Sequence, residues 1–144
     1  MKVLLINGSP HREGCTYTAL CEVSRALNDN GVDTDIFWIG NKALNGCIAC
    51  KKCQVLGKCV FNDAVNEFLE IAGDYDGFVF GTPVHWAGAA GAMTSFMDRV
   101  FYADRYFTVL EHGTWGLPGG CETGSGRIAD HANSGEQYGV FHQL

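Results

Sequence analysis

The chain of 144 residues has the size of one domain, which excludes two full catalytic domains. Apolar residues make up 47% and charged residues 18%, with nine phenylalanines, five tyrosines and three tryptophans, a composition that excludes a disordered or fibrous chain. Sixteen acidic against ten basic residues give a net charge of −6, the wrong sign for neutralising a row of phosphates, so nucleic acid is not an expected partner.

No uninterrupted apolar stretch approaches the ~18 residues of a membrane span, and Met1-Lys2-Val3 runs straight into a strand-like segment without a signal-peptide layout. A cytoplasmic protein with no membrane partner is expected. In that reducing compartment, seven cysteines point to metal or redox work rather than disulfides.

Lys2 to Asn7 carries Val3, Leu4, Leu5 and Ile6 and stops at Gly8-Ser9-Pro10, the pattern of a strand buried on both faces and feeding a loop. From Thr16, the apolar residues Ala19, Leu20, Val23, Ala26 and Leu27 recur at helical spacing until Asn28-Asp29-Asn30-Gly31 stops them. Val32 to Ile39 is a second strand and Asp76 to Gly81 a third, separated by a cysteine-rich loop and a helix striped by Val65, Phe68, Leu69 and Ala72. Met93, Phe96, Met97, Val100 and Phe101 mark a further helix. This alternation predicts an α/β fold: an open, parallel, doubly wound sheet with helices on both faces and three clear strands in the order 2-1-3. Glu111 to Leu144 holds eight of the nineteen glycines and no apolar run longer than two residues. The expected division is a domain over 1–110 and an irregular tail over 111–144, with the third strand left as an unpaired edge.

The segment Gly8-Ser9-Pro10-His11-Arg12-Glu13-Gly14-Cys15-Thr16 joins the carboxyl end of the first strand to a helix start, where backbone amides and the helix dipole favour a phosphate. Ser9 and Thr16 add hydroxyl donors, Arg12 and His11 add positive charge, and Gly8 and Gly14 permit close approach. A plain strand-to-helix turn needs no such crowding of donors. The segment lacks the P-loop lysine and is not G-x-G-x-x-G, so a flavin mononucleotide phosphate fits better than a nucleoside triphosphate or a dinucleotide. The segment resembles the Gly-Ser-Pro-Arg-x-x-Gly-Asn-Thr signature of the NADPH-dependent FMN reductase family, a branch of the flavodoxin-like fold. His11 stands at its arginine position and Cys15 at its asparagine position, with Arg12 adjacent to supply charge.

After the third strand, Gly81-Thr82-Pro83-Val84-His85-Trp86-Ala87-Gly88 faces the first loop across the topological switch point of a 2-1-3 sheet. Pro83 and Val84 offer a stiff wall, and His85 and Trp86 offer aromatic area; a lone tryptophan is otherwise core material. The run resembles the family's segment that holds the isoalloxazine, which implicates Pro83, Val84, His85, Trp86 and Gly88. Asp98 and Arg99 on the following helix are expected to cap or pair structurally rather than to catalyse.

Cys47-x2-Cys50-x2-Cys53-x5-Cys59 places four thiols within thirteen residues, a spacing near that of ferredoxin iron-sulfur runs. It resembles the compact motif of the iron-sulfur flavoproteins, which join a 4Fe-4S centre to FMN. A structural zinc, a thiol-disulfide switch at Cys50 and Cys53, and cysteines with no bound metal remain open beside it. Cys15, Cys21 and Cys121 show no partner spacing. The resemblance, from Met1 to about Tyr102, implies an FMN-dependent oxidoreductase taking electrons from NAD(P)H. The expected partners are small-molecule or protein electron donors and acceptors, with a homo-oligomer left open. An electron carrier without its own substrate and a zinc-stabilised interaction domain are the alternatives. Family members continue with further strands, so a truncation, a frame change near Arg105 to Gly113 or natural divergence would explain the tail.

Overall fold

The computed structural model describes residues 1–104 and the backbone of 114–116. Strand β1 (Lys2–Asn7) runs parallel to β2 (Asp33–Trp38) on one side and to β3 (Gly77–Gly81) on the other, with Leu4 opposite both Asp35 and Phe78. The predicted order 2-1-3 is therefore present. The crossovers are α1 (Cys15–Asp29) between β1 and β2, and α3 (Ala64–Ile71) between β2 and β3, preceded by the single turn α2 (Cys53–Leu56). After β3 come a two-residue hairpin, β4 (Val84–His85) and β5 (Gly88–Ala89), and then α4 (Gly91–Asp104).

One expectation needs correcting. The three expected strands are all present, but the edge of β3 is not left unpaired: β6 (Thr114–Gly116) pairs with it in parallel, Gly77 opposite Thr114 and Val79 opposite Gly116, and adds a fourth strand. The bare edge of β3 offers unpaired amides and carbonyls that a short segment can satisfy. Thr114-Trp115-Gly116 is too short, and too closely followed by Pro118, to give a periodic apolar signal. The rest of the tail, with Cys121 and the suggested break at Arg105 to Gly113, lies outside the described residues.

Period-2 alternation along β1 splits the core between the two faces of the sheet. Val3 and Leu5 pack with Leu20 of α1, joined by Val23, Leu27, Ile36 and Val79. Leu4 and Ile6 face the other way, into a larger cluster with Phe78, Phe80, Phe68, Phe96 and Val100 beneath α3 and α4. Phe68 is fully buried, with ring centroids 5.3 Å from Phe96 and 5.4 Å from Phe78. Truncating it to alanine would cost about 3–5 kcal/mol. The loop from Ile39 to Asp63 lies over α4, so the cysteine motif is supported by the same helix that follows the hairpin.

Candidate functional site

Burial of β1 up to its last residue decides the shape of the first loop. Asn7 has no solvent exposure, so its side chain must find partners inside. Its Nδ2 donates to the Arg12 carbonyl at 3.1 Å, and its Oδ1 accepts from the Ser9 amide at 3.0 Å. The Ser9 hydroxyl accepts from the His11 amide at 3.2 Å, and the Trp38 indole donates to the Ser9 carbonyl at 2.8 Å. The loop is thus shaped from within, leaving His11 and Arg12 exposed and Gly14 and Thr16 half-buried. Gly14 is the N-cap of α1 and brings no side-chain acceptor, so the first-turn amides, beginning at Cys15 and Thr16, have no cap from that position. An uncapped helix start beside Ser9, Arg12 and Thr16 suits a phosphate.

The second loop starts beside the first. The Gly8 amide donates to the Gly81 carbonyl at 2.8 Å. The hairpin then turns through Trp86 and Ala87, both left-handed at φ 48° and 57°. Positive φ at both central positions is the requirement of a type I′ hairpin turn, and L side chains adopt it only with strain. Trp86 is fully exposed at this tip, at 101%, so the core reading of this tryptophan does not hold. Val84 and His85 are exposed beside it, while Pro83 and Gly88 are half-buried.

Cys47, Cys50, Cys53 and Cys59 line one small cavity of about 20 Å³, open to solvent, together with Arg99, Tyr102 and Ala103 of α4. Ala49 and Lys51 are both left-handed, φ 51° and 58°, so the backbone reverses sharply on either side of Cys50. All four thiols are free, and burial pushes the Cys53 thiol up. Among the described residues, no three His, Cys, Asp or Glu groups are placed to share one metal ion.

Arg99 is 2% exposed and spends its donors on this loop. Its Nη1 and Nη2 grip Asp63 at 2.7 and 2.8 Å, while Nε and Nη2 reach the Cys59 sulfur at 3.3 and 3.2 Å. Weaker bonds run to the carbonyls of Asn45 and Phe61 at 3.3 Å. Burial works against its charge, but the bonds to Asp63 and Cys59 outweigh it and hold the guanidinium above its usual pKa. Asn66 clasps the Cys59 main chain in both directions, accepting from its amide at 2.9 Å and donating to its carbonyl at 3.0 Å. The expected structural pairing of Arg99 is present, with Asp63 as partner. Arg99 lies eight residues from Gly91, so the cavity sits on the order of 12 Å along α4 from the hairpin.

The model of the NADPH-dependent FMN reductase family matches residues 1–134. The chain belongs to that family. Among curated relatives, an iron-sulfur flavoprotein of Methanocaldococcus jannaschii is 37% identical over 99 residues, covering 69% of this chain and 51% of the relative. Another, from Clostridioides difficile, is 32% identical over 104 residues, covering 69% and 45%. The chain thus spans about half the length of the curated relatives it matches. Of solved structures, an NAD(P)H:quinone oxidoreductase from Methanothermobacter marburgensis superposes with a TM-score of 0.55 at 19% identity, covering 70% of this chain and 53% of that one. A flavone reductase gives 0.53 at 24%, covering 69% and 29%. These likenesses and the 2-1-3 order make the fold flavodoxin-like.

Four supporting residues in this family member escaped the sequence reading as site residues: Asn7, Trp38, Asp63 and Asn66. Asn7 and Trp38 read only as strand ends. Asp63 and Asn66 stand at N-cap and N3 spacing, a signal for a helix start rather than for a loop clasp.

Proposed function

We propose that this chain acts as an FMN-dependent NAD(P)H oxidoreductase whose flavin exchanges electrons with a 4Fe-4S centre at Cys47, Cys50, Cys53 and Cys59. The observation that carries the flavin reading is the uncapped start of α1 at the carboxyl end of β1, ringed by Ser9, Arg12 and Thr16. Ser9 accepts from the His11 amide and keeps its hydroxyl proton to donate to a phosphate oxygen. Thr16 adds a second hydroxyl and Arg12 a positive charge, with the amide of Cys15 at the helix mouth and His11 at the rim. Pro83, Val84, His85, Trp86 and Gly88 border the ring. The hydrogen bond from Gly8 to Gly81 fixes the two loops together at their roots, so phosphate and ring are gripped in one register.

Four cysteines lining one cavity, with no histidine among them and not set as two separated pairs, suit an iron-sulfur centre better than a structural zinc. Bound FMN supplies the switch between two-electron and one-electron transfer, and a bound 4Fe-4S centre supplies single electrons. The chain's own residues need only bind and orient these groups; no side chain is asked to act as a general acid or base. The names of the curated relatives, iron-sulfur flavoproteins, support the same reading.

The test is purification of the full chain without oxygen, followed by flavin, iron and sulfide analysis. About four iron and four sulfide per chain, with FMN, are expected, and Cys50→Ala should lose iron and sulfide while keeping FMN. Protein with FMN and one zinc, or with FMN and no metal at full NAD(P)H oxidation rate, leaves a plain FMN reductase. Protein that takes up no flavin overturns the reading.

A further inference from the structure

We propose that Arg99 is the positioning residue of the Cys59 sulfur and raises the reduction potential of the centre held there, an inference that rests on the 4Fe-4S reading above. Three of the four cysteines are presented by a loop with no comparable clasp: Cys47 and Cys50 are exposed, and Cys53 opens the single turn α2. Cys59 is different. Asn66 holds its main chain through both amide and carbonyl, and Arg99 holds its sulfur through two N–H groups at 3.2 and 3.3 Å. Arg99 is itself locked by the two-pronged grip on Asp63 and by the Phe61 ring 5.0 Å beneath its guanidinium. A side chain fixed on this many sides presents its N–H groups to the sulfur without reorganising when a charge arrives.

Hydrogen bonds to the ligand sulfurs and the local net charge set the potential of an iron-sulfur centre. Reduction of the centre adds one electron and takes up no proton, so its charge becomes more negative by one. Two N–H donors and a guanidinium against one ligand sulfur favour that more negative state. Removing them disfavours reduction. Asp63 works in the opposite sense, because its carboxylate offsets the Arg99 charge; neutralising Asp63 leaves more of that charge felt at Cys59.

Two substitutions therefore predict shifts of opposite sign, which loss of packing alone does not produce. In anaerobic full-length protein titrated with dithionite, Arg99→Gln should make reduction harder by about tenfold in the equilibrium constant, 59 mV for one electron. Arg99→Lys, which keeps the charge and loses the fork, should fall between. Asp63→Asn keeps an oxygen to cap the Val65 amide and should make reduction easier. Should Arg99→Gln fail to fold, the upward shift in Asp63→Asn decides alone. Intact clusters with unmoved potentials, or shifts of one sign in both variants, overturn the role of Arg99. Wild-type protein that binds no iron or sulfide overturns the cluster reading itself, and this inference with it.

Discussion

The amide of Gly8 donates to the carbonyl of Gly81 across 2.8 Å, which joins the first residue after β1 to the last residue of β3. Both positions are crowded. A Cβ on Gly8 would stand 3.1 Å from Met93 Cβ and 3.2 Å from the Gly81 carbonyl oxygen, and one on Gly81 would stand 2.9 Å from Leu20 Cδ1. Gly8→Ala should therefore push α4 away from the loop, costing about 1–3 kcal/mol of stability. Gly14→Ala should cost less than that, because the nearest atom to its Cβ, on His11, is at an ordinary 3.5 Å. Denaturant midpoints check this, and equal midpoints for wild type and Gly8→Ala would count against the crowding argument.

The side chains of Arg12 and Thr16 flank the start of α1, and the internal scaffold that Asn7 and Ser9 build uses only the main-chain carbonyl of Arg12. Replacing Arg12 by alanine and Thr16 by valine together should leave the fold intact. The FMN dissociation constant should rise at least ~10-fold, about the 1.4 kcal/mol of one charge-assisted contact. Fluorescence titration of FMN reads the change, and an unaltered constant would remove the phosphate from this loop.

The sheet order and the apolar faces were legible because β1, α1 and α3 obey one period each over several residues. Val3 and Leu5 do go to one face, Leu4 and Ile6 to the other. β6 was not legible, since three residues paired by backbone alone carry no period. The hairpin was hidden for a related reason: Trp86 and Ala87 hold positive φ where a sequence signal would be Asn-Gly. The four cysteines that the spacing singled out do line one cavity. What the spacing left out was Arg99 as a sulfur donor, forty residues away from Cys59 and brought to it only by the packing of α4.

Lys2, Asp35 and Tyr75 form a small polar network at the surface: the Lys2 ammonium and the Tyr75 hydroxyl each reach Asp35 Oδ2 at 2.8 Å. Hydrogen bonds from Lys2 and then Tyr75 hold the Asp35 carboxyl below its ordinary 3.8. Its contribution is present above that value and lost as pH falls through the lower folded pKa. Lys2 is raised from 10.5, chiefly by Asp35, and Tyr75 from 10.0, by burial and then Asp35. Those contributions are present below the ordinary values and lost as pH rises through the folded ones. The difference in melting temperature between wild type and Asp35→Asn should be small and flat from about pH 5 to 9, closing at both extremes. A difference that persists unchanged at pH 2 would mean that the network contributes nothing through charge.

Trp86 and Ala87 carry the strain that matters most for the flavin wall. A left-handed L residue costs roughly 1–2 kcal/mol, and a glycine gives back about 0.5–1 of it through the greater freedom of the unfolded chain. Ala87→Gly should therefore stabilise the fold by about 0.5–1 kcal/mol. Strain retained at an exposed tip points to a use for the shape, and here the shape presents Trp86, 101% exposed, beside His85. If that use is to border the isoalloxazine, Ala87→Gly should bind FMN more weakly although it is more stable, because the tip is no longer held in one conformation. The chain's other tryptophans are Trp38 and Trp115, so the part of the emission quenched by FMN in wild type and missing in Trp86→Ala belongs to Trp86. A more stable Ala87→Gly with unchanged FMN affinity, together with undiminished quenching in Trp86→Ala, would place the ring away from this hairpin.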